Sequence, residues 1–238
     1  MTDADPGALR ARFAATAEKL AELQAARAPK LAEKVLAFVA PKGDERALDS
    51  ATGSGALAFA LAPLVREVVA VDVVPELLAI ARRLGESVPN VSFAEADAMH
   101  LPFESFSFDL GCTMRALHHI ARSELAVAEL VRVVRPRGRL LVVDQIAPTD
   151  PLVGLELDRF ERERDPSHTR LLSDADMRAL FDANGLRLVS SEVDHEQREL
   201  ECYLDLAGCA GERRERARAL APGEVFTTDV AWYLLERR

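Results

Sequence analysis

Short apolar segments recur along the middle of this chain and alternate with longer amphipathic segments. Each apolar segment ends at or next to an acidic or hydroxyl residue. Segments of this kind are typical of buried parallel strands, whereas apolar residues spaced by three and four are typical of helices. The alternation predicts an α/β protein with a mostly parallel sheet and right-handed crossovers. We predict strands at 46–49, 67–72, 91–95, 107–113 and 140–144, and helices at 56–64, 75–83 and 124–134.

The two ends of the chain are less regular. Residues 8–40 carry two apolar stripes separated by Pro29, which predicts two helices that either pack on the sheet edge or cover a bound ligand. A closing pair of strands brings the predicted doubly wound sheet to seven strands. In the last third we predict helices at 151–164 and 174–184, strands at 186–193 and 225–235, and helical residues at 198–219.

Composition and charge exclude several classes of protein. The 238 residues carry a formal net charge of -9, which argues against a nucleic-acid partner, because such binders usually present a basic face. The three cysteines lack C-x-x-C spacing and predict neither a disulfide framework nor a metal site. Residues 1–6 do not resemble a secretory signal, and no apolar stretch approaches the ~20 residues that span a bilayer. We therefore expect a cytoplasmic protein with no membrane insertion.

A glycine turn connects the first predicted strand to its helix. Asp49 ends the strand, and Gly53 and Gly55 stand where the chain must turn sharply. Glycine accepts positive φ and lets a ligand approach the backbone, and the helix N-terminus that follows offers unpaired N–H groups. The segment also fits the dinucleotide fingerprint G-x-G-x-x-G/A, with Ala58 in the third place. Asp49 argues against a dinucleotide, since its carboxylate would repel a pyrophosphate and attract an ammonium group.

Residues 49–55 resemble motif I of the class I S-adenosylmethionine-dependent methyltransferases, which runs acid-x-Gly-x-Gly-x-Gly. The segment reads Asp49-Ser-Ala51-Thr-Gly53-Ser-Gly55, so Ala51 replaces the first glycine. An alanine there is similar to the C-methyltransferases of ubiquinone and menaquinone biosynthesis, the methyltransferase type 11 group. The resemblance covers residues 46–194. It implies a Rossmann-like fold whose seven-stranded, mostly parallel sheet has one antiparallel strand near the C-terminus, together with N-terminal lid helices. It also implies S-adenosyl-L-methionine as cofactor, a small-molecule methyl acceptor, and cofactor contacts by Asp49, Ala51, Gly53 and Gly55.

Further candidate residues fall at the ends of the other predicted strands. Asp72 follows the second strand, and its carboxylate can accept hydrogen bonds from two vicinal ribose hydroxyls; Val73 is assigned to the same site. The segment that begins at Asp97 and Ala98 is similar to a family segment whose acid accepts from the adenine amino group while the next backbone N–H reaches a ring nitrogen. Thr113 ends the fourth strand, and Asp144 the fifth. Ligands of parallel sheets bind at such carboxyl ends, which predicts that these residues converge.

His118 and His119 follow the fourth predicted strand and are candidate bases. Adjacent helical residues point about 100° apart, so we expect at most one of them to face the acceptor. Histidine's pKa near ~6.5 suits proton removal at neutral pH, and we rank His119 first, with His168 in reserve. The alternative is that these histidines are structural and that no base is used, because alignment of donor and acceptor carries the reaction.

The combined prediction is an S-adenosylmethionine-dependent methyltransferase that acts on a small molecule through an O-, C- or N-acceptor. We predict one domain over 1–238, with lid helices at 1–40, a cofactor core at 45–145 and substrate-side insertions at 146–172 and 196–223. The alternatives are an NAD-linked oxidoreductase and a non-catalytic S-adenosylmethionine-binding protein. The expected quaternary state is a monomer or homodimer, and the sequence does not identify the acceptor.

Overall fold

The structure, a computed structural model, describes residues 6–238 and consists of one mixed sheet with helices on both faces. The strands are β1 Arg46–Ser50, β2 Glu67–Asp72, β3 Val91–Glu95, β4 Phe108–Met114, β5 Val134–Ala147, β6 Leu172–Ser173, β7 Leu186–Glu199 and β8 Val225–Arg237. The helices are α1 Pro6–Val39, α2 Ala56–Leu61, α3 Pro75–Leu84, α4 Ser123–Val133, α5 Pro151–Arg164, α6 Asp174–Ala183, α7 Leu200–Leu206 and α8 Gly211–Leu220. Two 3-10 helices lie at Ala62–Leu64 and Leu117–His119.

The strand order confirms the predicted doubly wound topology. It runs β3-β2-β1-β4-β5-β8-β7, and β8 is antiparallel to both of its neighbours. The predicted number of strands is wrong, because the sheet has eight. The additional strand, β6, pairs two residues with Ile146 and Ala147 of β5. Two residues carry no readable periodicity, so this strand depends on where the chain passes and not on its own pattern.

The sheet order places a crevice beside β1. Chain connections proceed outward from β1 through β2 to β3 on one side, and through β4 and β5 on the other. The order therefore reverses between β1 and β4, and the helices that follow these strands diverge to opposite faces. In open parallel sheets ligands bind at such a switch point, outside the carboxyl ends of the strands.

Helix α1 is continuous, so the predicted break near Pro29 is wrong. Pro29 lies inside the helix, where its missing N–H removes one backbone hydrogen bond. Packing on both sides of the proline offsets that loss: Ala17 and Ala21 contact the face of α3, and Val35 and Val39 contact α2 and the sheet. Residues 1–5 belong to the predicted lid segment 1–40 and to the N-terminal segment that does not resemble a secretory signal. They lie outside the described residues. No helix within residues 6–238 has the length and apolarity to cross a bilayer.

Two large apolar clusters, one on each face of the sheet, surround the central strands. On one face α4 and α6 cover the sheet through residues such as Leu130 and Phe181. On the other face α1 and α2 cover it through residues such as Val35 and Leu61. Because the central strands are buried on both sides, their sequences are almost wholly apolar. The polar residues at their carboxyl ends are therefore held on a rigid base.

Candidate active site

A cavity of about 860 Å³ lies at the carboxyl ends of β1, β2, β4 and β5, against α1. Seven of the nine predicted cofactor residues line it, and the exceptions are Gly55 and Thr113. The seven residues are up to 49 positions apart in the sequence, and they meet at one edge of the sheet because the strands that precede them are parallel. The seven are Asp49, Ala51, Gly53, Asp72, Val73, Asp97 and Ala98.

The glycine turn has the left-handed backbone that its sequence predicts. The φ angles are 59° at Ala51, 59° at Gly53 and 93° at Gly55. A Cβ at Gly55 would lie 2.7 Å from the ring of Phe59, so this glycine is required by packing as well as by φ. A Cβ at Gly53 would meet nothing within 4 Å. The open space at Gly53 is what a ligand needs to approach the backbone.

Ala51→Gly should stabilise the ligand-free protein. A Cβ in the left-handed region costs roughly 1–2 kcal/mol, of which the greater freedom of glycine in the unfolded chain offsets about 0.5–1 kcal/mol. We expect thermal denaturation to show a melting temperature about 2 °C higher, given about 2–4 °C per kcal/mol at this size. The matched control is Ala79→Gly on the exposed face of α3, where an ordinary helical φ makes the same change destabilising. If the melting temperature of Ala51→Gly is at or below that of the wild type, the backbone of Ala51 is not strained.

Asp49 is buried with one oxygen unused. Its Oδ2 accepts a hydrogen bond of 2.6 Å from Thr52 Oγ1. Its Oδ1 accepts no hydrogen bond of ordinary geometry from any residue in 6–238. Burial raises the pKa of Asp49 to about 7; the Thr52 hydroxyl and the nearby Ala58 backbone N–H oppose the rise, and Asp72 adds to it. A buried carboxylate with an unfilled lone pair is suited to a ligand cation or hydrogen-bond donor.

Asp72 connects the glycine turn to the second strand. Its Oδ2 accepts from the Gly53 N–H at 2.7 Å, and its Oδ1 accepts from the Val74 N–H at 2.9 Å. Burial raises the pKa of this carboxyl, and the two backbone donors partly offset the rise. Each carboxylate oxygen retains a second lone pair. Asp72 can therefore hold the turn and accept hydrogen bonds from a ligand at the same time.

Asp97 and Thr113 differ in their access to the cavity. Asp97 Oδ1 accepts from the Met99 N–H at 2.8 Å, and 43% of its side chain is exposed beside the cavity. Thr113 is buried in β4 and is not among the lining residues. Side chains alternate along a strand, so Met114 reaches the cavity while Thr113 faces the opposite side of the sheet. The sequence therefore identifies the correct strand end, but the residue that lines the cavity is Met114, one position after Thr113.

Both adjacent histidines line the cavity, so the expectation that at most one would face it is wrong. They lie in the 3-10 helix Leu117–His119, with ring centroids 4.0 Å apart. The cavity extends past this turn to Phe13 of α1, whose ring packs edge-on to His119 at 5.0 Å. A concave surface that wraps around the turn thus reaches both rings.

His118 is oriented by a buried carboxylate. Its Nδ1 is hydrogen-bonded to Asp144 Oδ1, and its backbone N–H donates to Asp144 Oδ2 at 3.2 Å. Asp144 is 2% exposed and also accepts from the Gln145 N–H at 2.8 Å. An acceptor with these donors holds the Nδ1 proton on the imidazole, which leaves Nε2 as the basic nitrogen. The arrangement is that of a base with an orienting acid.

His119 and His168 are held as structural groups. The Ser167 hydroxyl donates to Asp165 Oδ1 at 2.6 Å, so its oxygen accepts from His119 Nδ1 at 2.9 Å. Burial, and then the neighbouring His118, lowers the pKa of His119 well below its usual range, which keeps it neutral. His168 Nε2 lies 2.9 Å from Asp158, and His168 does not line the cavity. The geometry therefore favours His118 over the two other candidates.

No sequence motif identifies the polar residues at the other end of the cavity. They come from elements that are far apart in the chain and carry no common motif. Arg115 alone had a signal, since it comes two residues after the predicted strand end at Thr113. The lining residues concerned are Arg12, Arg115, Gln145, Arg164, Arg198 and Tyr203.

Comparisons with known proteins agree with this geometry. Residues 48–142 match a family model described as a methyltransferase domain. The uncharacterized methyltransferase YcgJ of Bacillus subtilis is 37% identical over 147 residues, which cover 61% of this chain and 58% of YcgJ. A demethylmenaquinone methyltransferase of Thermus thermophilus is 42% identical over 117 residues, which cover 48% of this chain and 53% of that protein. The chain thus spans little more than half the length of these curated relatives.

The structural likeness extends further along the chain. The crystal structure of YcgJ superposes with a TM-score of 0.80 at 26% identity, over 88% of this chain and 98% of that one. The glycine turn and the carboxylates Asp49, Asp72 and Asp97 lie in the region that the family model matches. Residues 48–142 thus match a methyltransferase domain, and the chain is similar to methyltransferases in sequence and in fold.

Proposed function

We propose that this protein transfers a methyl group from S-adenosyl-L-methionine to a small-molecule acceptor. The observation that carries the proposal is the unpartnered, buried Oδ1 of Asp49 beside an open glycine turn. An ammonium group fits that oxygen, because it supplies both a positive charge and N–H donors. When bound, S-adenosylmethionine supplies an electrophilic methyl group on a sulfonium. Asp49 beside the turn would repel the pyrophosphate of NAD, which makes the oxidoreductase alternative less suitable.

The remaining cofactor residues have complementary roles in this proposal. Asp72 accepts from the two ribose hydroxyls with the lone pairs that Gly53 and Val74 leave free. The resemblance to the family assigns the adenine amino group to Asp97 and a ring nitrogen to the Ala98 N–H. Val73, Ala51 and Gly53 shape the backbone surface between these polar contacts. Thr113 has no direct role, because it does not reach the cavity.

The acceptor occupies the part of the cavity beyond His118. Alignment of the acceptor and exclusion of water by α1 supply most of the rate enhancement. For a hydroxyl or acidic-carbon acceptor, His118 Nε2 removes the proton and Asp144 stabilises the imidazolium that results. We propose a cytoplasmic, single-domain enzyme that works as a monomer or homodimer.

Cofactor identity is tested by ligand-dependent thermal stability. S-adenosylmethionine and S-adenosylhomocysteine should each raise the melting temperature, by an amount that grows with ligand concentration, and NAD should not. Stabilisation by NAD alone would reverse the proposal. Turnover of any acceptor in a methyl-acceptor panel then separates an enzyme from a non-catalytic S-adenosylmethionine-binding protein.

Variants of two aspartates provide the control for this experiment. Asp72→Ala removes two charge-assisted hydrogen bonds and should weaken S-adenosylhomocysteine binding by about tenfold or more. Asp97→Asn should have a smaller effect, because the amide oxygen can still accept from an amino group. Equal dissociation constants for wild type and Asp72→Ala would remove Asp72 from the site.

A further inference from the structure

We propose that the methyl acceptor carries an anionic group, a carboxylate or a group of similar charge, which binds at Arg12. This inference rests on the proposed function, since it concerns the acceptor part of the same cavity. It follows from the distribution of charge along the cavity wall, from the hydrogen bonds of Arg12 and from the rigid support of the neighbouring arginines.

Charge is distributed unevenly along the cavity. The end formed by β1, β2 and the segment after β3 presents Asp49, Asp72 and Asp97. Elsewhere along the wall, the acidic lining residues in the described chain are Asp194 and Glu196, which pair with Lys34, Arg115 and Arg198, against six basic ones. A ligand that spans both ends is therefore complementary if it is cationic at one end and anionic at the other. The six are Arg12, Lys30, Lys34, Arg115, Arg164 and Arg198.

Arg12 has an unused donor inside the protein. Its side chain is 7% exposed and forms an ion pair with Asp165, and its Nη1 donates to Thr16 Oγ1 at 3.3 Å. Its Nε is buried and has no hydrogen-bond partner among residues 6–238. Burial lowers the pKa of Arg12, and Asp165 only partly restores it. A buried guanidinium with a free N–H is suited to an anionic oxygen.

The carboxylates that pair with Arg12 and Arg164 lie behind the cavity wall. The side chain of Asp165 is 0% exposed and that of Glu161 is 1% exposed, and neither lines the cavity. Glu161 Oε2 accepts from Arg164 Nε at 2.7 Å, and the Arg164 guanidinium lies 4.0 Å from the ring of Tyr203. The cavity therefore meets guanidinium groups, while their counter-charges face away from it.

The support of this region is rigid enough to select a ligand. The Tyr203 hydroxyl donates to Glu161 Oε1 at 2.8 Å, and Gln145 Nε2 donates to the same oxygen at 3.1 Å. The Asp165 that holds Arg12 also holds Ser167, which accepts from His119. An anionic group at Arg12 is thus positioned with respect to the histidine turn, whose neighbour His118 carries the proposed base.

The cofactor's own carboxylate is the other possible source of an anion at Arg12. The two sources differ in the ligand whose affinity depends on Arg12. If the acceptor supplies the anion, Arg12→Gln leaves the dissociation constant of S-adenosylhomocysteine within about twofold. If the cofactor supplies it, that constant rises by about tenfold or more.

The experiment uses the full chain saturated with S-adenosylhomocysteine and two pairs of probes. Benzoate is compared with benzamide, and hexanoate with hexanamide, by ligand-observed NMR titration. We expect at least one carboxylate to bind about tenfold more tightly than its amide, and Arg12→Gln to reduce that preference to about twofold. The matched control is Arg10→Gln on the same helix, which loses only a half-exposed ion pair with Glu95 and should keep the preference.

The outcomes separate the inference from the proposed function. Failure of the wild type to bind S-adenosylhomocysteine contradicts the function itself. Binding of that ligand without a carboxylate preference, or an unchanged preference in Arg12→Gln, overturns only the inference. Weakened S-adenosylhomocysteine binding in Arg12→Gln also overturns it, because the anion is then the cofactor's. Should Arg12→Gln fail to fold, Arg12→Lys keeps a positive charge beside Asp165 but removes the Nε–H, and an unchanged preference in that variant overturns the inference.

Discussion

Replacement of His118 by alanine should lower turnover by about 10²-fold or more, with S-adenosylmethionine affinity within about twofold of the wild type. The imidazole is oriented by Asp144 and presents Nε2 to the cavity, so its removal deletes a base without touching the glycine turn. The effect should appear in kcat with an acceptor that has a hydroxyl or an acidic carbon. An amine acceptor that is already unprotonated would not need this base.

A control for this prediction comes from the exposed His100, and a second test comes from Asp144. His100→Ala removes a side chain that is 78% exposed and outside the cavity lining, and it should leave turnover unchanged. Asp144→Asn should lower kcat, because the amide no longer holds the Nδ1 proton on the imidazole or balances the charge of the imidazolium. If His118→Ala keeps turnover within about threefold, the reaction depends on alignment and no base should be assigned.

Asp49→Asn should stabilise the ligand-free protein and at the same time weaken cofactor binding. Burial raises the Asp49 pKa from 3.8 to about 7. The folded state therefore holds a proton that the unfolded state releases, so stability falls as pH rises from about 4 to 7. Asparagine removes this cost, which at pH 8 is at most about 4 kcal/mol for this rise in pKa. It also removes the charge that attracts an ammonium group.

Two measurements test the opposing effects of this substitution. At pH 8 the melting temperature of ligand-free Asp49→Asn should exceed that of the wild type by about 2–4 °C, and the difference should vanish near pH 4. The dissociation constant of S-adenosylmethionine at pH 7.5 should rise about ten- to hundredfold. A variant that is less stable at pH 8, or one that binds as tightly as the wild type, would contradict the assignment of Asp49.

The sequence predicts the central elements well because local pattern and tertiary role coincide there. Strands β2 and β3 and helix α5 have the predicted bounds, since each combines a clear periodicity with a clear stop signal. The pattern of apolar residues is less informative where tertiary contacts determine whether a helix continues or a strand forms. Pro29 does not end α1 because packing on both sides holds the helix, and β6 exists only because the chain passes the end of β5.

The candidate site shows the same division between motif and packing. The carboxylates at the strand ends could be predicted, because a parallel sheet brings such ends together whatever their separation in the chain. The strand position predicted that Thr113 reaches the site, whereas its neighbour Met114 lines the cavity. A shift of one residue along a strand moves a side chain to the opposite face of the sheet. The preference for His118 over His119 depends on Asp144 and Ser167, whose contacts are set by the packing of distant segments.

Helix α1 contacts both ends of the cavity. Near one end, the Gln24 side chain accepts a hydrogen bond from Ser54 of the glycine turn. At the other end, Arg12 pairs with Asp165, and Phe13 packs on His119. One rigid rod therefore closes two compartments, and a displacement that admits either ligand also exposes the other compartment to bulk water. We therefore expect entry of the two ligands to be kinetically coupled, and we expect the rate at which this helix separates from the sheet to limit turnover.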